Sequence, residues 1–186
     1  MTIIAKPNLS HFGLYVGDLE RMEAFYTSLF SLQVTDRGEG VIFKNKLVFL
    51  SADPSAHHQL VLASGRPPEA TFSTVMQLSF KVQEIQELRR IRMEAIELGG
   101  SNMRCIDHGA SLSIYFADPE GNTIEAYLDT VYYIAQPHAD PLNLDLSDEE
   151  IRSENERRCR TDPSFMHAKE WQAKFPTIKS DARLQA

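Results

Sequence analysis

The sequence predicts an α+β fold made of two βαβββ modules, and three observations lead there. First, the chain resembles itself at a shift near 66 residues: "HFGLYVGDLERMEAFY" from His11 matches "QLSFKVQEIQELRRIR" from Gln77. Second, each copy begins with the alternation of a strand and passes, at Gly17-Asp18 and at Gln83-Glu84, into apolar residues at helical spacing. Third, "VFLSADPSAHHQLVL" and "IYFADPEGNTIEAYL" both read as strand, Asp-Pro turn, strand. Two such units make one domain with an internal pseudo-twofold.

In chain order, the first strand starts near His11, and its helix places Leu19, Met22, Phe25 and Tyr26 on one face. Three further strands complete a module of about residues 8–64. The second module, about 75–130, repeats the plan, with Ile85, Leu88 and Ile91 on its helix and the glycines of "LGGSNM" ending it. Residues 1–130 form the domain and 131–186 an extension. In the extension, "DTVYYIAQPHADPLNLDL" is a proline-punctuated arm, and Ser147 with Glu150 has capping-box spacing that opens a helix over about 147–160. The final "KSDARLQA" has little to bury.

Composition narrows the function. A chain of 186 residues with 42% hydrophobic and 24% charged residues is one ordinary globular domain. A net charge of −7 argues against a nucleic-acid partner, which calls for a basic face. No apolar run approaches the roughly 18 residues of a membrane span, and "MTIIAKPNLSHF" is too short in its apolar part for a signal peptide, so a cytoplasmic location is expected. Cys105 and Cys159 stand without a CxxC pair, which suits a reducing compartment and excludes a cysteine zinc site. A small molecule is the expected partner.

The polar residues of the repeat carry the chemistry. Glutamate is poor strand material, yet "TIEAY" puts Glu125 on one strand face with Thr123 and Tyr127. If that face is interior, its carboxyl must be protonated, paired or metal-bound; if not, it is a solvated surface acid. In the repeat, His11 corresponds to Gln77, 66 residues on, and His58 to Glu125, 67 residues on, so four strands each offer one possible metal ligand. His57 would face the other way and reads as a surface histidine; Asp118 and Glu120 read as turn formers.

On these motifs the sequence resembles the vicinal oxygen chelate superfamily, whose paired βαβββ modules curl a mixed sheet into a cup around a divalent metal. The resemblance covers about residues 8–130. Within it, "DHGASLSIYFADPEGNTIEAY" is most similar to the one-domain type I extradiol ring-cleavage dioxygenases. That resemblance implies cleavage of a catechol-type aromatic diol with O₂ at Fe(II), or at Mn(II). It implies His11 and Glu125 as ligands, with Tyr115 and His108 binding the diol and His58 as the catalytic histidine. Gln77 departs from the pattern, because that group carries a second histidine there, and an amide oxygen is a weaker donor for iron. Gln77 ligates regardless, His58 supplies the second imidazole, or no metal binds. A second reading is a glyoxalase- or epimerase-like isomerase using His11, His58, Gln77 and Glu125 around Ni(II), Zn(II) or Co(II). A third is a metal-free binder of the bleomycin-resistance kind. Members of the superfamily commonly form homodimers, and the arm could reach a second subunit.

Overall fold

The protein is described here by a computed structural model covering residues 8–174, so the tail "KSDARLQA" lies outside the described residues. The first module contains β1 (Phe12–Val16), α1 (Leu19–Phe30), β2 (Gln33–Glu39), β3 (Lys46–Ser51) and β4 (Leu60–Ser64). The second contains β5 (Leu78–Lys81), α2 (Ile85–Glu97), β6 (Ser101–Asp107), β7 (Ser111–Ala117) and β8 (Thr123–Asp129). The extension adds β9 (Tyr132–Tyr133), β10 (Asp140–Pro141), α3 (Asp148–Cys159), β11 (Met166–His167) and α4 (Ala168–Lys174).

The strand orders repeat. One sheet runs β1-β4-β3-β2 with β1 parallel to β4; the other runs β10-β6-β7-β8-β5 with β5 parallel to β8. Both sheets are mixed, as predicted; among the described residues each module has its own sheet, with no hydrogen bonding from β1 to β5, and β9 pairs with β11 in a small third sheet.

Each helix forms because its apolar face has somewhere to go. Asp18 caps α1 by accepting from the Arg21 amide, and Met22, Phe25, Tyr26 and Leu29 are buried beneath the helix. At about 1.5–3 kcal/mol for each large side chain removed from water, this face outweighs any local propensity. Glu84 and Glu87 form a capping box for α2, which buries Ile85, Leu88, Ile91 and Ala95. Ser147 and Glu150 do the same for α3, as their spacing predicted. One apolar core takes residues from both modules and receives Leu144 and Ile151 from the extension.

Asp118 and Glu120 do more than form the β7–β8 turn. Asp118 accepts from the amides of Glu120 and Asn122, and also from the buried Tyr26 hydroxyl at 2.8 Å. Glu120 accepts from the amides of Gly17 and Asp18 and faces Arg66 at 3.6 Å. Glu120 therefore joins the turn of one module to the start of α1 in the other, and Asp118 joins it to the second half of that helix. Tyr26→Phe is expected to cost about 1–3 kcal/mol in urea unfolding, because Asp118 is buried and loses a donor.

Candidate functional site

The second module places a row of polar residues on the sheet face opposite α2. Along β8, Ile124, Ala126 and Leu128 enter the core, so Glu125 faces away from it. The pairing register sets Ser79 of β5 and Tyr115 of β7 directly beside Glu125, one on each side. The Tyr115 hydroxyl donates to Glu125 Oε1 at 2.6 Å; Ser79 Oγ and Gln77 Nε2 donate to Oε2 at 2.5 and 2.7 Å. The carboxylate is 7% exposed, and among the described residues no lysine, arginine or histidine pairs with it. Burying a carboxylate against neutral donors alone is expensive, and a cation at this position would relieve the cost.

The same contacts leave room for one. A carboxylate has about four lone-pair positions and three are used, leaving one on Oε1. Gln77 turns its amide nitrogen to Ser79 and Glu125, so its carbonyl oxygen, with no hydrogen-bond partner among the described residues, is available as a ligand. Ser113, fully buried on the same face of β7, acts on the neighbouring Tyr115 phenol but has no partner at hydrogen-bonding geometry among the described residues. Two oxygen donors, one on Glu125 and one on Gln77, are therefore open to a cation or a polar occupant, and a divalent metal would need further ligands from elsewhere.

His108 continues the row. Its Nε2 lies 3.0 Å from the Tyr115 hydroxyl, and its Nδ1 lies 2.6 Å from the backbone carbonyl of His138 in the arm. Burial first, then the hydrogen bond to Glu125 and its charge, push the Tyr115 phenol well above its usual range, so it remains a hydroxyl at neutral pH. Thus Glu125, Gln77 and Tyr115 are joined by hydrogen bonds, and His108 stands in contact at the end of the row.

The first module holds the histidines. His11 precedes β1 and is exposed; its ring lies 4.3 Å from that of His58, which touches Phe49 and sits with its Nδ1 2.9 Å from His57 Nδ1. His57 is exposed, as predicted, and faces Asp36 at 3.9 Å. Partial burial, then the neighbouring His11 and His57, hold His58 below the ordinary imidazole range, so it is neutral at pH 7.

The register corrects one correspondence read from the sequence. Phe12 pairs with Leu60 and Leu78 with Ile124, so the strands opening the modules are 66 apart but the closing strands only 64. The structural counterpart of Glu125 is therefore Val61, and His58 lies in the connection before β4. The turn of the first module is two residues longer, which carries the histidine pair off the strand.

The two groups stand apart within one chain. Phe12, at the start of β1, lines a cavity of about 540 Å³ with Phe80, Lys81 and Val82, and Phe30 at the end of α1 stacks on Phe80. At the other end, Gly17 and Arg66 reach Glu120 and Asn122, beside the start of β8. β1 and β5 thus run in opposite directions, with His11 toward the end of β5 and Gln77 at its start. Among the described residues no group of three histidine, cysteine, aspartate or glutamate side chains gathers to hold a metal.

Residues 8–126 match the family model described as the Glyoxalase/Bleomycin resistance protein/Dioxygenase superfamily. The chain belongs to that superfamily. Among curated proteins it is similar to biphenyl-2,3-diol 1,2-dioxygenase 3 of Rhodococcus globerulus, 28% identical over 129 residues. The match covers 66% of this chain, and the chain spans 64% of that relative's length. Among solved structures it is similar to the fosfomycin resistance protein FosX of Listeria monocytogenes, whose structure contains Mn(II) and sulfate. That likeness has a TM-score of 0.53, 22% identity, and coverage of 68% of this chain and 96% of the other. A glyoxalase/bleomycin resistance protein/dioxygenase domain from Frankia sp. EAN1pec gives a TM-score of 0.57 at 20% identity, covering 68% and 94%. These structural likenesses concern the fold.

Within this superfamily member, the match ends one residue past Glu125, so the arm that touches His108 lies beyond it. Sequence reading missed Ser79, although its spacing from Gln77 puts both on one strand face. It also missed the His138 carbonyl, for which a sequence offers no signal, because the contact is made by backbone.

Proposed function

We propose that the chain is a metal-dependent extradiol dioxygenase that opens a catechol-type aromatic diol with O₂. The observation that carries this reading is the row Glu125–Tyr115–His108, which puts a buried carboxylate, a phenol hydroxyl and an imidazole in one line. The Rhodococcus relative, named for a biphenyl diol, supports a diol substrate. Fe(II) is the favoured metal, and Mn(II), found in the Listeria structure, is the next. His11, Gln77 and Glu125 would hold it. When bound, the metal would supply a Lewis-acidic, redox-capable centre where diol and O₂ meet.

The chain's own groups then have distinct tasks. Tyr115 keeps its proton and orients one diol oxygen, while His108 Nε2 accepts a diol proton. His58, neutral at pH 7, is the proton carrier on the opposite wall. Tyr115→Phe is expected to lower kcat about a hundredfold while leaving metal affinity within a few-fold.

Because His11 and Glu125 lie apart in one chain, the centre is completed by a second copy, whose His11 meets this chain's Gln77 and Glu125. Support comes from uncovered surface: all seven residues of β2 are exposed, as are Val41, Ile42 and Phe43 at its tip and Tyr15 on β1. The isomerase reading needs a fourth donor opposite Glu125, where Val61 stands; a metal-free binder has no use for a buried, uncompensated carboxylate.

The test is anaerobic Fe(II) titration of the native protein, followed by oxygen uptake with biphenyl-2,3-diol and simpler catechols. One iron per chain and equal consumption of O₂ and diol are expected. Iron binding without oxygen uptake on any diol would overturn the dioxygenase reading.

A further inference from the structure

The β6–β7 turn that carries His108 is held from outside the family-matched region. Gln136 Nε2 donates to the His108 carbonyl at 2.8 Å, and the His138 amide donates to Gln136 Oε1 at 3.1 Å. The His138 carbonyl faces His108 Nδ1 at 2.6 Å, and its own ring is anchored to Asp140, whose segment β10 pairs with β6. On the other side of the turn, Asn155 of α3 donates to Asp107 and to the Gly109 carbonyl. Gly109 has φ of +71°, and a Cβ there would lie 2.2 Å from Ile134, so the arm packs against bare backbone.

We propose that residues 134–140 are a positioning element of the catalytic site, with Gln136 as the positioning residue that fixes the tautomer of His108. A carbonyl oxygen can only accept, so the hydrogen between His108 and His138 belongs to Nδ1. Tyr115 gives its one hydrogen to Glu125, so in the neutral ring the Nε2 lone pair stands bare beside the Tyr115 oxygen, open to a diol proton. Without the arm, neutral imidazole in water would populate both tautomers, and a ring with hydrogen on Nε2 offers no base toward Tyr115 and a bound diol. Gln136 acts at one remove: it ties the His108 backbone to the His138 amide, setting the distance across which the ring is read. The catalytic part of this inference rests on His108 acting in the proposed reaction; the tautomer does not.

The experiment is long-range ¹H–¹⁵N NMR of the histidine rings in the full chain, free of paramagnetic metal, at a pH where the rings are neutral. His108→Gln provides the assignment. The native protein is expected to show His108 with hydrogen on Nδ1, and Gln136→Ala to show shifts averaged between tautomers, with thermal unfolding nearly unchanged. Gln136→Ala should also lower kcat about ten- to a hundredfold while KM moves less. A native ring with hydrogen on Nε2, or a Gln136→Ala protein with native His108 shifts, overturns the positioning role. A locked tautomer in a protein that opens no diol upholds the lock and places the failure in the reaction assigned above.

Discussion

Mixing His11→Ala chains with Glu125→Ala chains, each inactive alone, is expected to restore roughly a quarter of the wild-type ring-opening activity. The expectation follows from the antiparallel run of β1 and β5, which leaves His11 at one end of the pair and Gln77 at the other. If a second copy supplies the missing half, a mixed dimer has one centre with both defects and one with neither. Random association makes about half the dimers mixed, and each carries one intact centre of two. Iron content should recover in the same proportion. Activity no greater than the sum of the separate variants would mean that the centre is not shared between chains.

Glu125→Ala alone is expected to weaken Fe(II) binding about a hundredfold or more and to reduce ring cleavage below detection. Two effects separate in this variant. The carboxylate is buried among neutral donors, so the metal-free protein loses an unfavourable charge along with its three hydrogen bonds, and its unfolding temperature changes little. The metal-bound native protein gains stability by mass action, about 2.7 kcal/mol when free metal is a hundredfold above the dissociation constant. That gain should vanish in the variant. Native-like thermal stabilisation of Glu125→Ala by Fe(II) would remove Glu125 from the ligand set.

Much of the fold was legible because its signals are local. Leu19, Met22, Phe25 and Tyr26 mark a helix face by spacing alone, and Ser147 with Glu150 announces α3. The repeat itself showed the order of strands and helices in both modules. Register was harder: aligning the Asp-Pro turns concealed two extra residues in the first, which is why His58 stood in for Val61. Strand pairing depends on where a turn ends, and composition does not record that. Contacts to the arm were illegible for another reason, since the groups touching His108 are a backbone carbonyl and a side chain 28 residues away.

The mismatch between the two modules has a history in it. Where one copy has Ser79, Tyr115 and Glu125, the other has Gly13, Phe49 and Val61 at the corresponding strand positions. A duplicated unit starts with two interchangeable ends, and any guest it holds can sit either way round. Here one descendant retains the hydroxyls and the acid while its sibling presents bare or greasy surface. The two faces are therefore not interchangeable, and a guest lying against both would have one preferred way round.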